Sequence, residues 1–113
     1  MKEFANIVLF ITTANAEEAQ RIASLLLNER KAACINIVPR VSSLFWWQGK
    51  LESAGESLLI VKTKASVLDE IVSLVKEHHR YDVPEVIALP IIGGNQDYLE
   101  WMSKEVKQSA RGD

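Results

Sequence analysis

The chain has 113 residues, of which 48% are hydrophobic and 25% charged, and its formal net charge is -2. That size and balance point to a single domain over 1–113 with one core, and exclude a disordered chain or two independent cores. Lacking a positive excess, the chain offers no footprint for sequence-independent binding of nucleic acid and no basic amphipathic segment for a membrane surface.

Met1 to Asn6 leads into the apolar run Ile7–Ile11, which is too short for the apolar part of a signal peptide, and no stretch approaches the roughly 20 apolar residues of a membrane helix. Cys34 is the single cysteine. It cannot form an internal disulfide, so a reducing, cytoplasmic setting is expected.

Ile7-Val8-Leu9-Phe10-Ile11 predicts a strand buried on both faces. Asn15, with Glu18 three residues on, marks a helix start, and Ala19, Ile22, Ala23 and Leu26 follow at helical spacing. Ala33 to Val38 reads as a second strand, where Pro39 implies an edge or a bulge. The strand pattern resumes from Val41 to Trp47, turns at Gln48-Gly49-Lys50, and returns from Leu51 to Lys64, which makes an unusually long hairpin. Ser66 and Asp69 read as the capping pair of a second helix with the stripe Leu68, Ile71, Val72 and Val75. That helix fades near His78-His79-Arg80-Tyr81, before Pro84. Val86–Leu89 is a fourth strand, and Asn95 or Asp97 starts a third helix carrying Leu99, Met102 and Val106. Residues 109–113 are expected to fray.

The order β-α-β-β-α-β-α, with both crossovers right-handed, places two helices on one face of the sheet. This is an α+β, ferredoxin-like arrangement with an added C-terminal helix. The other face, and a hairpin ending in Phe45-Trp46-Trp47, exceed what one further helix can cover. A homo-oligomer is therefore expected.

Four segments resemble motifs of the CutA family. They are Lys31-Ala32-Ala33-Cys34-Ile35-Asn36-Ile37-Val38-Pro39, Ser43-Leu44-Phe45-Trp46-Trp47-Gln48-Gly49-Lys50-Leu51-Glu52, Val83-Pro84-Glu85-Val86-Ile87-Ala88-Leu89-Pro90, and Asp97-Tyr98-Leu99 with Trp101. Each is weak alone, but together they span most of the chain in order. The resemblance implies a homotrimer held through the long hairpins, kinship with the trimeric PII signalling proteins, and a role in tolerance of copper and other divalent cations. It also implies a copper site built from two consecutive histidines after the second helix and a cysteine at the end of the first strand. The histidines are present here as His78 and His79, but Ile11 stands at the cysteine's position, so the softest ligand is missing.

His78 and His79 are the candidate metal ligands, for Cu(II) or Zn(II). Adjacent residues on a regular helix point about 100° apart, so the alternative is that both imidazoles simply suit the helix C-terminus. Trp46 and Trp47 lie on opposite faces of a strand, one for the protomer and one for an interface. A subunit cleft formed by Trp47, Lys50, Glu52 and Tyr81 would instead take a small anionic molecule. Glu85 is a candidate loop cap or interface residue, without a partner for acid–base work. Nothing unites a nucleophile, a base and an orienting group, and enzymatic activity is not expected. Three roles remain: a metal-responsive trimer, a PII-like regulatory trimer binding a small molecule or partner protein, and an assembly scaffold.

Overall fold

The computed structural model describes residues 4–107; the tail expected to fray over 109–113 lies outside them. Four strands and three helices follow in the order β1 (Asn6–Thr13), α1 (Ala16–Asn28), β2 (Cys34–Trp47), β3 (Lys50–Lys64), α2 (Leu68–His78), β4 (Val86–Pro90) and α3 (Gln96–Glu105). The sheet order is β2-β3-β1-β4, and every neighbouring pair is antiparallel. β1 and β2 are thus separated by β3, as a split βαβ requires.

Local chemistry sets the boundaries. Asn15 is extended, with φ -161°, and its side chain accepts the Glu18 N–H at 2.8 Å, which opens α1. α1 closes with Arg30 in the left-handed region at φ 60°. The Arg30 N–H reaches the Leu27 carbonyl and the Lys31 N–H reaches that of Leu26, the paired bonds that end a helix when one residue turns left-handed. The start of α2 is shifted from the expected one: the turn Ala65–Val67 is 3-10, and the cap position falls on Val67, whose apolar side chain makes no capping bond. Asp69 and Glu70 instead bring negative charge to the helix's positive end. Asn95 caps α3 by accepting the Asp97 N–H at 3.0 Å.

The hairpin turns on Gln48 and Gly49, with φ 51° and 80°. Positive φ at both central residues is the two-residue turn whose twist matches paired strands. Further down, the β2–β3 register slips between Val38 and Val41. Pro39 therefore sits in a bulge on an edge strand, where its missing N–H costs no ladder bond. The carbonyl of Pro39 accepts the Ser57 hydroxyl at 2.9 Å.

Between the sheet and helices α1 and α2 lies the core, with Leu9, Ile11, Ile22, Leu26, Leu59, Val61, Ile71 and Val75 wholly buried. Thr13 and Thr63 point to the same side and donate to the carbonyls of Asn15 and Lys31 at 3.0 and 2.6 Å. The expectation that β1 is buried on both faces is met on one only: its residues alternate between half-buried and buried. α3 lies over part of the second face, tied to it where Ser103 approaches Asn6 at 3.4 Å. Ile87 and Leu89 on that face remain 51% and 43% exposed, because a 10-residue helix cannot cover four strands.

Candidate ligand cleft and exposed hairpin

The distal hairpin has two unlike faces, fixed by its register. Trp46 pairs with Leu51 and Leu44 with Ser53, so these lie on one face. Trp46, Leu44 and Leu51 are 73%, 71% and 62% exposed. Trp47 pairs with Lys50, Phe45 with Glu52, and Val41 with Glu56, which builds the opposite face. Trp46 and Trp47 thus point to opposite faces.

Where the second of these faces meets the loop between α2 and β4, a cleft of about 800 Å³ opens. Trp47, Tyr81 and Glu85 line it, as do Phe45, Glu56, Arg80 and Asp82. Lys50 and Glu52 lie nearer the hairpin tip and are not part of its wall, and Trp46 is on the far face. The grouping of Trp47, Lys50, Glu52 and Tyr81 expected from sequence is thus divided: the aromatics join the cleft and the charged pair does not.

A buried carboxylate holds the loop side of this cleft. Glu18 is 3% exposed. One of its oxygens accepts the Ala14 N–H at 2.8 Å and the other accepts the Arg80 N–H at 2.5 Å. Arg21 stands 3.7 Å away and His79 3.6 Å. Burial pushes the Glu18 carboxyl up, but the two backbone donors, with the Arg21 guanidinium, outweigh it and hold it below its ordinary value. Glu18 therefore stays ionised and joins the start of α1 to the segment after α2.

His79 completes the same network. Its Nδ1 accepts the Tyr81 N–H at 3.0 Å, which leaves the ring proton on Nε2, 2.7 Å from the Thr12 carbonyl. The side chain is fully buried and its ring lies 4.9 Å from that of Tyr81. His78, one residue earlier, ends the helix. Its Nδ1 lies 2.9 Å from the Leu74 carbonyl, and its own carbonyl accepts from Arg21 at 2.8 Å. The two imidazoles serve different partners, and both nitrogens of His79 are engaged, so this arrangement is not a chelating pair. Ile11 is wholly buried in the core. Among the described residues, no group of three or more His, Cys, Asp or Glu is disposed to hold a metal ion.

On the hairpin side, the Tyr81 hydroxyl donates to Glu56 at 2.8 Å. Burial, then the bond to Glu56, pushes this phenol up to about 12, so it remains a donor throughout the neutral range. Glu85 is exposed and lies 3.5 Å from the Thr12 hydroxyl. Cys34 is half-buried on the second face, and Tyr98 on α3 hydrogen-bonds to it. Burial, then that bond, raises the Tyr98 phenol.

Sequence reasoning missed Glu56, Arg80 and Asp82 as cleft residues, and saw Glu18 only as a helix-start residue. Strand alternation does signal Glu56, which shares a hairpin face with Glu52 and Trp47. The role of Arg80 had no signal, because it is the backbone N–H that Glu18 holds.

The family described as CutA1 divalent ion tolerance protein matches residues 7–105. The rice protein "Protein CutA 1, chloroplastic" is 49% identical over 104 residues, covering 92% of this chain and 59% of the rice protein. The Thermus thermophilus "Divalent-cation tolerance protein CutA" is 45% identical over 95 residues, covering 84% of this chain and 92% of that protein. The chain thus spans about three-fifths of the length of its plant relatives. Among solved structures, rice CutA1 superposes with a TM-score of 0.90 at 48% identity, covering 94% of this chain and 97% of that one. CutA1 from the psychrotroph Shewanella sp. SIB1 gives 0.91 at 33% identity, covering 95% and 100%. With the same topology and with these matches along nearly its whole length, the chain belongs to the CutA1 family of divalent-cation tolerance proteins.

Proposed function

We propose that this chain acts in divalent-cation tolerance as a cytoplasmic, non-enzymatic homotrimer whose working surface is the cleft at the hairpin base, in the manner of a PII-like regulatory protein. The observation that carries this reading is the apolar surface left on the single chain. Leu44, Trp46 and Leu51 are each more than three-fifths exposed on one hairpin face, and Ile87 and Leu89 continue the apolar surface on the sheet. Exposed apolar side chains in such number support burial against further copies. The cleft supports a binding role: it is concave, of small-molecule size, and walled by aromatic side chains with a few polar groups.

Direct chelation of Cu(II) or Zn(II) by His78 and His79 is the less favoured route to metal tolerance, because His79 is committed to Thr12 and Tyr81. His78 alone offers one imidazole nitrogen. Native mass measurement, with calorimetric titration of the metal-free protein by Cu(II) and then Zn(II), tests both parts. Three subunits with weak, non-stoichiometric heat is the expected result. A monomer would remove the assembly. Sub-micromolar binding of one ion per subunit, lost when both histidines become alanine, would restore the chelating pair.

A further inference from the structure

We infer that the cleft between the hairpin and the α2–β4 loop takes a small organic cation, an ammonium group on an apolar body, and not an anion. This deepens the proposed function, since it rests on the cleft being the working surface. Three carboxylates, Glu56, Asp82 and Glu85, stand in the wall against the single guanidinium of Arg80, so the cavity carries a net formal charge of -2. Lys50, the residue that would have favoured an anion, lies outside the wall.

The apolar part of the wall has a matching character. Phe45 and Trp47 come from β2 and Tyr81 from the opposite loop, so the aromatic side chains stand on both sides. Aromatic faces attract ammonium groups through the ring quadrupole, more strongly as water is excluded. They also supply apolar area for the body of the ligand.

Glu56 is the anchor. It is 7% exposed, and the Tyr81 hydroxyl occupies its Oε2 only. The opposite rim is held as well, because Glu18 fixes the Arg80 N–H and His79 fixes that of Tyr81. The wall is therefore organised before a ligand arrives, which lowers the ordering cost of binding. The volume of about 800 Å³ accepts a body of one or two rings.

The test is calorimetric titration of the full chain near neutral pH with phenethylamine and, separately, phenylacetate, which share a body and differ in the sign of their charge. Native mass is recorded on the same samples. The expected result is saturable binding of phenethylamine at one per subunit, with at least about tenfold preference over phenylacetate. Glu85→Gln, at an exposed position with no burden on folding, should weaken phenethylamine about threefold and leave subunit number unchanged. Glu56→Gln should weaken it more. Equal affinity for the two probes, or a preference for phenylacetate, overturns the inference. So does the absence of heat from both probes with an intact trimer, which would mean that a neighbouring copy fills the cleft. A monomer that still prefers phenethylamine would overturn the assembly and leave the cation site standing.

Discussion

Replacing Glu18 by alanine removes a buried carboxylate that ties the start of α1 to the segment following α2. The carboxylate accepts two backbone N–H groups, from Ala14 at 2.8 Å and Arg80 at 2.5 Å, on separate oxygens. Each donor left without a partner costs about 1–3 kcal/mol, and as both bonds are only part-buried the lower half of that range applies. The contact with Arg21, 3.7 Å away and on a 54% exposed side chain, adds little. The expected loss is about 2–4 kcal/mol, which moves the urea midpoint down by about 1–3 M. Glu18→Gln retains one carbonyl oxygen but turns an NH2 toward the other donor, so about half of that loss is expected. Midpoints are compared at equal protomer concentration, because assembly shifts apparent stability. Amide exchange provides the local readout: Arg80 and Tyr81 should lose protection before the core strands do. The Glu18 carboxyl is lowered in the folded state, so its contribution is present above the ordinary value of 4.5 and fades as pH falls through the depressed one. The difference between Glu18→Gln and the parent should therefore shrink in acid. A midpoint shift under about 0.3 M, with Arg80 exchange unchanged, would refute the reasoning.

Three further outcomes follow from other parts of the molecule. Gly49, at φ 80°, becomes strained with any β-carbon, although the space around it is open. Gly49→Ala should cost about 1 kcal/mol in a chemical denaturation series, and no loss would mean that the turn can change type. Tyr81 should ionise near 12, not 10, in an alkaline titration followed by tyrosinate absorbance. Its folded-state value is raised, so its contribution to stability is full below 10, is lost as pH rises through about 12, and vanishes in Tyr81→Phe. Trp46→Ser should leave the far-ultraviolet circular dichroism of the fold intact, because Trp46 is 73% exposed in the protomer. It should nevertheless weaken assembly by about 2 kcal/mol or more per contact in a sedimentation dilution series if that hairpin face is buried between copies; an unchanged subunit equilibrium would place the interface elsewhere.

The sequence by itself determined element order and type, because these depend on interactions between near neighbours. Period-two and period-3.6 patterns marked the strands and helices, Asn15 and Asn95 marked caps that form, and Pro39 marked a bulge on an edge strand. It also determined that Trp46 and Trp47 point to opposite faces, since strand alternation is local. What only the tertiary structure decided is which distant groups meet. Ser66 and Asp69 sit at the capping spacing, yet the cap position of α2 falls on Val67, because Ala65–Val67 form a 3-10 turn between β3 and the helix. The consecutive histidines suggest a chelating pair, but a change of backbone conformation between them sends His79 into the protein toward Thr12, 67 residues away. The cleft's charge was likewise invisible, for it arises where Glu56 on the hairpin meets Arg80 and Asp82 on a loop that Glu18, 62 residues before Arg80, holds in place.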